Sequence, residues 1–370
     1  MQMVKNIYPI DLKKDITHHQ GLQNFLYSSG FVILFYLIYT RHPYFAAYFK
    51  ANYDLMGVNF YIPTVFYLIS LIYLICLYKI NLTQEVSHPS KSVLAVNALI
   101  KLPQGKIITR SEKIALLTII LKAFFAPLMV KWFFGHTSEM LKHLNELIKH
   151  SDLILTNFRL IYQQHIFYFL LKTILFFDVI FFTLGYLIDH PKYDNEIKSV
   201  EPTALGWFVA LICYPPFNEV THKILPWYSS DFPFFTDPIA FYTCSFLVLI
   251  CMGLYSWASW SLGLKASNLT YRGFVDKGIY AFVRHPAYFF KNMAWWLGAI
   301  PAILNNFDKS LSEGLFALFC LSSWTYIYYL RAKTEERHLL SVCPQYREYK
   351  KFVPAFIPKI HRYKTINKTL

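Results

Sequence analysis

Charge is scarce in this chain. Only 16% of its 370 residues are Asp, Glu, Lys or Arg, against about 25% in ordinary globular domains. With 55% hydrophobic residues beside so little charge, the chain is neither disordered nor suited to the surface of an ordinary soluble enzyme. Cysteine is also sparse. Cys76, Cys213, Cys244, Cys251, Cys320 and Cys343 form no CxxC pair, which excludes a disulfide framework and a cysteine zinc site, and no metal is expected. The first 20 residues lack an early apolar core, so no cleavable signal peptide is expected. The C-terminus lacks a CaaX box and a KDEL signal. No motif interleaves aromatic and basic residues, so the net charge of +14 does not point to nucleic acid. There is no internal repeat.

What the chain has in excess is apolar and aromatic residues, Phe, Tyr and Trp together reaching 19%. A membrane-spanning helix needs about 20 mainly apolar residues. Eight such segments are expected, near 22–40, 57–80, 114–135, 165–189, 204–222, 238–262, 286–304 and 314–331. The fold class is therefore all-α, a polytopic membrane bundle of about eight transmembrane helices. The fifth segment is the weakest: Pro215 and Pro216 interrupt its hydrogen-bond ladder, which predicts a broken or re-entrant helix. With this count, 25 Lys and Arg residues fall on the side of both termini and 7 on the other. That asymmetry places both termini in the cytoplasm of a multi-pass protein of the bacterial inner membrane or the endoplasmic reticulum. Between segments three and four, Met140, Leu141, Leu144, Leu147 and Ile148 recur at helical spacing opposite Lys142, Glu146 and Lys149. They predict a short surface helix near 137–150, a packing element in preference to a ligand site. The expected organisation is a two-helix extension with a polar linker over 1–113, central helices over 114–237, and a catalytic region over 238–370.

The chemistry concentrates in that last region. Arg284-His285-Pro286-Ala287-Tyr288 opens segment seven, where proline is tolerated in a first helical turn. Tyr288, Asn292 and Trp295 follow at spacings of four and three, so with His285 they line one face. Trp324, Tyr328, Arg331 and Glu335 form a matching stripe on segment eight. Aromatic groups deep in the membrane with charges at its edge suit a ligand of mixed charge such as S-adenosyl-L-methionine: a carboxylate takes Arg or His donors, an ammonium takes Glu335, and a sulfonium sits against aromatic faces. Either motif alone has a plainer reading, a snorkelling cap for the first and a solvated ion-pair cluster for the Glu335-Glu336 pair. Arg41-His42-Pro43-Tyr44 repeats the Arg-His-Pro without the flanking motifs and reads as such a cap. Asp178 and Lys172 in segment four, and Glu219 after the prolines, are charges at membrane depth that need a partner or a cavity.

Taken in order, the elements are more specific. Ser267-Asn268-Leu269, Phe274 to Tyr280 with Gly278, Arg284 to Tyr288, Arg331 to Glu336, and Tyr346 to Pro354 resemble the isoprenylcysteine carboxyl methyltransferase family. That family belongs to a wider group of integral-membrane methyltransferases that includes phospholipid methyltransferases. The resemblance covers about the last quarter of the chain. It implies S-adenosyl-L-methionine as cofactor, with contacts at Tyr280, His285, Pro286, Ala287, Tyr288 and Glu335. It also implies a contact at Val275, within Arg272-Gly273-Phe274-Val275, whose first residue departs from the family's histidine. Arg331 aligns with the arginine that faces the acceptor and is the catalytic candidate. The expected partners are the lipid bilayer and a lipidic or lipidated acceptor. A carboxylate acceptor of the prenylcysteine kind needs no general base, whereas an amine would need one, and His338 is the one base in view. Two other readings stay open: an NADPH-dependent reductase like the sterol reductases, whose C-terminal half is related, and a non-catalytic lipid-binding membrane protein.

Overall fold

The computed structural model describes residues 10–84, 86 and 88–358, with side chains from His19 onward. Both chain termini, and with them the expected cytoplasmic ends, lie outside the described residues. The fold is an all-α membrane bundle, and the chain packs as two compact units, one ending at Lys131 and one beginning at Trp132.

In the first unit, α1 (Ile10–Arg41) leads into α2 (Pro43–Phe49), and a hairpin of β1 (Asn52–Leu55) and β2 (Val58–Tyr61) precedes α3 (Ile62–Leu82). The expected second segment therefore begins late. Residues 57–61 form a turn and a strand, because Asp54 Oδ1 accepts from the Gly57 amide at 2.9 Å and Gly57 takes a left-handed φ of 87°. On α3, Tyr67, Leu68, Leu71, Ile72 and Ile75 are all exposed. An apolar face of this kind suits acyl chains and not water. α4 (Lys91–Lys101) is capped by Ser90 and packs on α1.

Next comes α5 (Arg110–Lys149), 40 residues long, so the amphipathic stretch near 137–150 is the last part of a continuous helix and not a separate surface helix. α6 (Phe158–Ile161), a π-helical turn over Tyr162–Ile166 and α7 (Phe167–Leu187) continue as one rod. β3 (Ser199–Val200) precedes α8 (Ala204–Leu211) and α9 (Phe217–Ile224); then come α10 (Pro238–Leu262), β4 (Thr270–Tyr271), α11 (Pro286–Lys309), α12 (Leu311–Val342) and α13 (Pro344–Phe352). α10 packs between α7 and α11, with Phe167, Leu171, Phe241, Val248, Met252 and Ala294 in one core cluster.

Among the described residues, five helices are long and apolar enough to cross a membrane: His19–Arg41, Ile62–Leu82, Arg110–Lys149, Phe158–Leu187 and Pro238–Lys265. The other three of the eight expected segments depart from that pattern for physical reasons. The fifth breaks into α8 and α9 at the two prolines. It still follows α12 over a long distance: Ser199 lies beside His338, Tyr214 beside Arg331, Leu225 beside Trp324, and Tyr228 against the cluster holding Leu321. The stretch of α12 from residue 338 back to 321 is about 26 Å long at 1.5 Å per residue. α11 and α12 stand where segments seven and eight were expected, but polar groups on their inner faces lower their apolarity. The other face of α12 carries Leu311, Leu315, Phe316 and Phe319, all exposed.

The charges at membrane depth find partners. Asp178 is buried and accepts hydrogen bonds from Tyr255 Oη at 2.7 Å and from Ser259 Oγ, both on α10. Lys172 faces Asp231 at 3.9 Å, not Asp178. Glu219 is exposed in the first turn of α9.

Candidate functional site

A narrow cleft, open on one side, lies where α8, the Ser267–Thr270 loop, α11 and α12 meet. Its chemistry comes from Glu201, Asn268, Tyr288, Arg331, Glu335 and His338.

The wall begins at the turn before α11. The Arg284 amide donates to the Pro354 carbonyl at 2.9 Å and the His285 amide to the Ala355 carbonyl at 3.0 Å, so the C-terminal tail lies across the Arg-His-Pro turn. His285 is buried, stacked on Tyr288 with ring centroids 5.7 Å apart, and Pro286 starts the helix behind it. The acidic pair on α12 divides. Glu336 is buried and holds the turn: His285 Nε2 and Arg284 each donate to it at 3.1 Å, and Lys350 Nζ at 2.7 Å. Glu335 is exposed in the cleft, with its carboxylate 3.8 Å from His285 Nδ1. The Arg-His-Pro at residues 41–43 makes none of this. His42 is exposed at the start of α2 with no side-chain capping bond, and Tyr44 stacks on Tyr48.

Glu336 has a stability consequence. Burial alone would raise its carboxyl pKa, but the bonds from His285 and Lys350 and the charge of Arg284 hold it at about 2, against 4.5 in a free chain. A carboxyl lowered in the fold contributes stability that is complete above the unfolded value and is lost as pH falls from about 4.5 towards 2. We expect thermal unfolding in detergent to show that loss, on the order of 3 kcal/mol in total, in the wild-type protein. Glu336→Gln should be less stable at pH 7 and lack most of this acid slope. An unchanged slope in the variant would show that other carboxyls govern acid unfolding.

Arg331 is 5% exposed and enclosed by rings: its guanidinium carbon lies 4.8 Å from the Tyr328 ring, 5.2 Å from Tyr288 and 5.8 Å from Tyr214. Asn268 Oδ1 accepts from it at 3.0 Å. Asn268 is itself held by Tyr186 on α7, whose hydroxyl accepts from the Asn268 backbone amide at 2.6 Å and from its side-chain Nδ2 at 3.2 Å. The loop is pinned from beneath by Arg272, which is fully buried and donates to Ser267 Oγ at 2.9 Å and to the Asn195 carbonyl at 2.5 Å. Arg272 thus supports the loop from outside the cleft.

On the opposite wall, Glu201 and His338 are both buried, with a carboxylate oxygen 3.8 Å from His338 Nδ1. Ser199 Oγ is 2.9 Å from His338 Nε2. β3 pairs with β4 and the Glu201 amide donates to the Leu269 carbonyl at 2.7 Å, which brings this wall to the loop carrying Asn268. Glu201 Oε1 accepts from the Thr203 amide at 3.1 Å, while Oε2 is buried without a hydrogen-bond partner. Gly206 makes room for it, since a Cβ there would meet Glu201 Cγ at 2.4 Å. Burial pushes the His338 imidazole below its usual pKa against the pull of Glu201, so it is neutral at pH 7.

Of the residues selected from sequence, Tyr288, Arg331 and Glu335 line the cleft, and His285 reaches it through Glu335. Tyr280 stands close behind. Burial and then the Glu335 charge push its phenol well above the ordinary value, and its carbonyl accepts from Tyr349 Oη at 2.6 Å. Ala287 packs with Tyr280 against Ile279 and Val283. Val275 is half-buried in the loop after β4, outside the lining, as is Pro286. Sequence reasoning missed Glu201, Tyr186 and Tyr214. The spacing of 137 residues between Glu201 and His338 leaves no local signal for that pair.

Comparison with known proteins agrees with the region of the cleft. Residues 242–353 match a family model described as "Protein of unknown function (DUF1295)". The C-terminal part of the chain is 36% identical over 130 residues to the protein-S-isoprenylcysteine O-methyltransferase of Schizosaccharomyces pombe, an alignment covering 32% of this chain and 50% of that one. The chain thus spans about half the length of the curated relative it matches. No solved structure matches. The chain is thus similar, over its C-terminal part, to a methyltransferase.

Proposed function

We propose that the cleft binds S-adenosyl-L-methionine and that the protein methylates a carboxylate on a lipidic acceptor of the prenylcysteine kind. The observation that carries this reading is the pairing of Arg331 and Glu335, opposite charges one helical turn apart on one cleft wall, with Arg331 inside a cage of three tyrosines. The residues present fit the cofactor's groups: Glu335 is an exposed carboxylate suited to an ammonium, and Tyr288 offers an aromatic face to a sulfonium. When bound, the cofactor supplies an electrophilic methyl group. Arg331 holds and aims the acceptor, His285 positions Glu335, and the tyrosine rings exclude water from the acceptor's anionic end. The acceptor enters sideways from the bilayer, and the cleft faces the cytoplasm, the side of both termini.

An ionised carboxylate needs only in-line placement. An amine or hydroxyl needs a base, and the neutral His338 beside Glu201 is the group that would serve one. His338→Gln is therefore expected to leave turnover of a prenylcysteine carboxylate within a few-fold of wild type. A loss of a hundredfold or more, with folding intact by circular dichroism, would identify an acceptor that must give up a proton.

Calorimetry of the purified protein tests the cofactor assignment. S-adenosylhomocysteine should bind with one site per chain and NADPH should not bind. The reverse result would make the protein a reductase, and binding of neither would make it a non-catalytic lipid-binding protein.

A further inference from the structure

Apart from the residues that line the cleft, two imidazoles and a carboxylate converge from two helices, with a third imidazole beside them. His143, Glu146 and His150 are spaced three and four apart near the end of α5, which puts them on one face. His165 meets them from the π-helical turn before α7. Glu146, His150 and His165 each offer a ligand atom within 4.8 Å of one another. His143 Nδ1 stands 3.4 Å from His165 Nδ1. That separation is long for a hydrogen bond, and it equals the edge of a tetrahedron around a zinc ion with bonds of about 2.05 Å, which is about 3.3 Å.

We propose that Glu146, His150 and His165 form a binding site for one divalent transition-metal ion, that His143, beside His165, closes in as the fourth ligand, and that the ion is zinc. Three nitrogens and one carboxylate oxygen are a zinc donor set, too nitrogen-rich for calcium or magnesium. The rings are oriented as ligands are. His150 Nδ1 is 2.9 Å from the Glu146 carbonyl, so with its proton there Nε2 carries the lone pair. His143 Nε2 faces the Glu139 carboxylate at 3.8 Å, which directs its Nδ1 lone pair at His165. A π-helical turn shifts the residues after it around the helix by one extra position, and such turns recur at functional sites. Here that turn ends at Ile166, next to His165.

The plain alternative is a solvated helix face. Glu146 does pair with Lys149 at 2.7 Å, an exposed i,i+3 contact. Such a pair is worth little and gives way readily to a metal. It also does not account for three imidazoles gathered from two helices.

The test uses the tag-free full chain in detergent, stripped with EDTA and reloaded with Zn2+ or Co2+. One equivalent of metal per chain is expected, with the visible bands of four-coordinate cobalt and a melting temperature that rises with zinc. His165→Ala and the more exposed His150→Ala should each lose the bound equivalent, while Lys149→Ala keeps it. Should His165→Ala fail to fold, His150→Ala decides. Far less than one equivalent in the wild-type protein, or a full equivalent retained in the folded His150→Ala and His165→Ala variants, would overturn the site.

Discussion

Replacing Arg331 with lysine is expected to lower turnover about a hundredfold while leaving the dissociation constant of S-adenosylhomocysteine within twofold. The factor corresponds to about 2.7 kcal/mol of lost transition-state stabilisation. The argument is geometric. A planar guanidinium can donate to Asn268 Oδ1 at 3.0 Å, lie among three tyrosine rings, and still present paired N–H groups to a carboxylate. A lysine ammonium keeps the charge but has neither the flat face nor the fork. A snorkelling cap would predict no change, since lysine snorkels as well; the 5% exposure of Arg331 already argues against that role. Single-turnover rates with saturating cofactor, read beside calorimetry, separate the outcomes. Equal falls in affinity and rate would move Arg331 to the cofactor's own carboxylate, and no change in either would remove it from the site.

Glu335→Ala should weaken S-adenosylhomocysteine binding ten- to a hundredfold, because a charge-assisted hydrogen bond of about 1.5–3 kcal/mol is lost from the ammonium. The neighbouring glutamate supplies the control. Glu335 is exposed in the cleft and ties little of the fold together, so Glu335→Gln should keep the melting temperature while losing affinity. Glu336 accepts from His285, Arg284 and Lys350, so Glu336→Gln should lower the melting temperature first. Wild-type affinity in Glu335→Ala would remove this face of α12 from cofactor binding.

The two Arg-His-Pro turns, at residues 41–43 and 284–286, show how far local sequence reaches. Both place proline in the first turn of a helix, as the backbone of proline requires. His42 ends exposed and His285 buried, because only the second has an acidic helix and a tail to close over it. The flanking motifs carried that difference in the sequence. The broken fifth segment was equally legible, since two prolines cannot continue a ladder that needs their N–H groups. The late start of the second segment was not, because a run of apolar and aromatic residues reads alike as strand or helix until a turn such as Asp54 to Gly57 sets its register.

The sequence by itself determined the membrane class and the order of the motifs along the last quarter of the chain. Both follow from composition and spacing, which are local. It also put Arg331 and Glu335 on one helix face, because a four-residue step is nearly one turn. Only the tertiary structure decided which member of the Glu335-Glu336 pair faces the cleft, for adjacent helical residues point about 100° apart and packing chooses between them. It alone brought Glu201 to His338 and His165 to His143, pairs 137 and 22 residues apart. Their meeting depends on how β3 pairs with β4 and how α5 packs beside α7, and no periodicity along a single element records that.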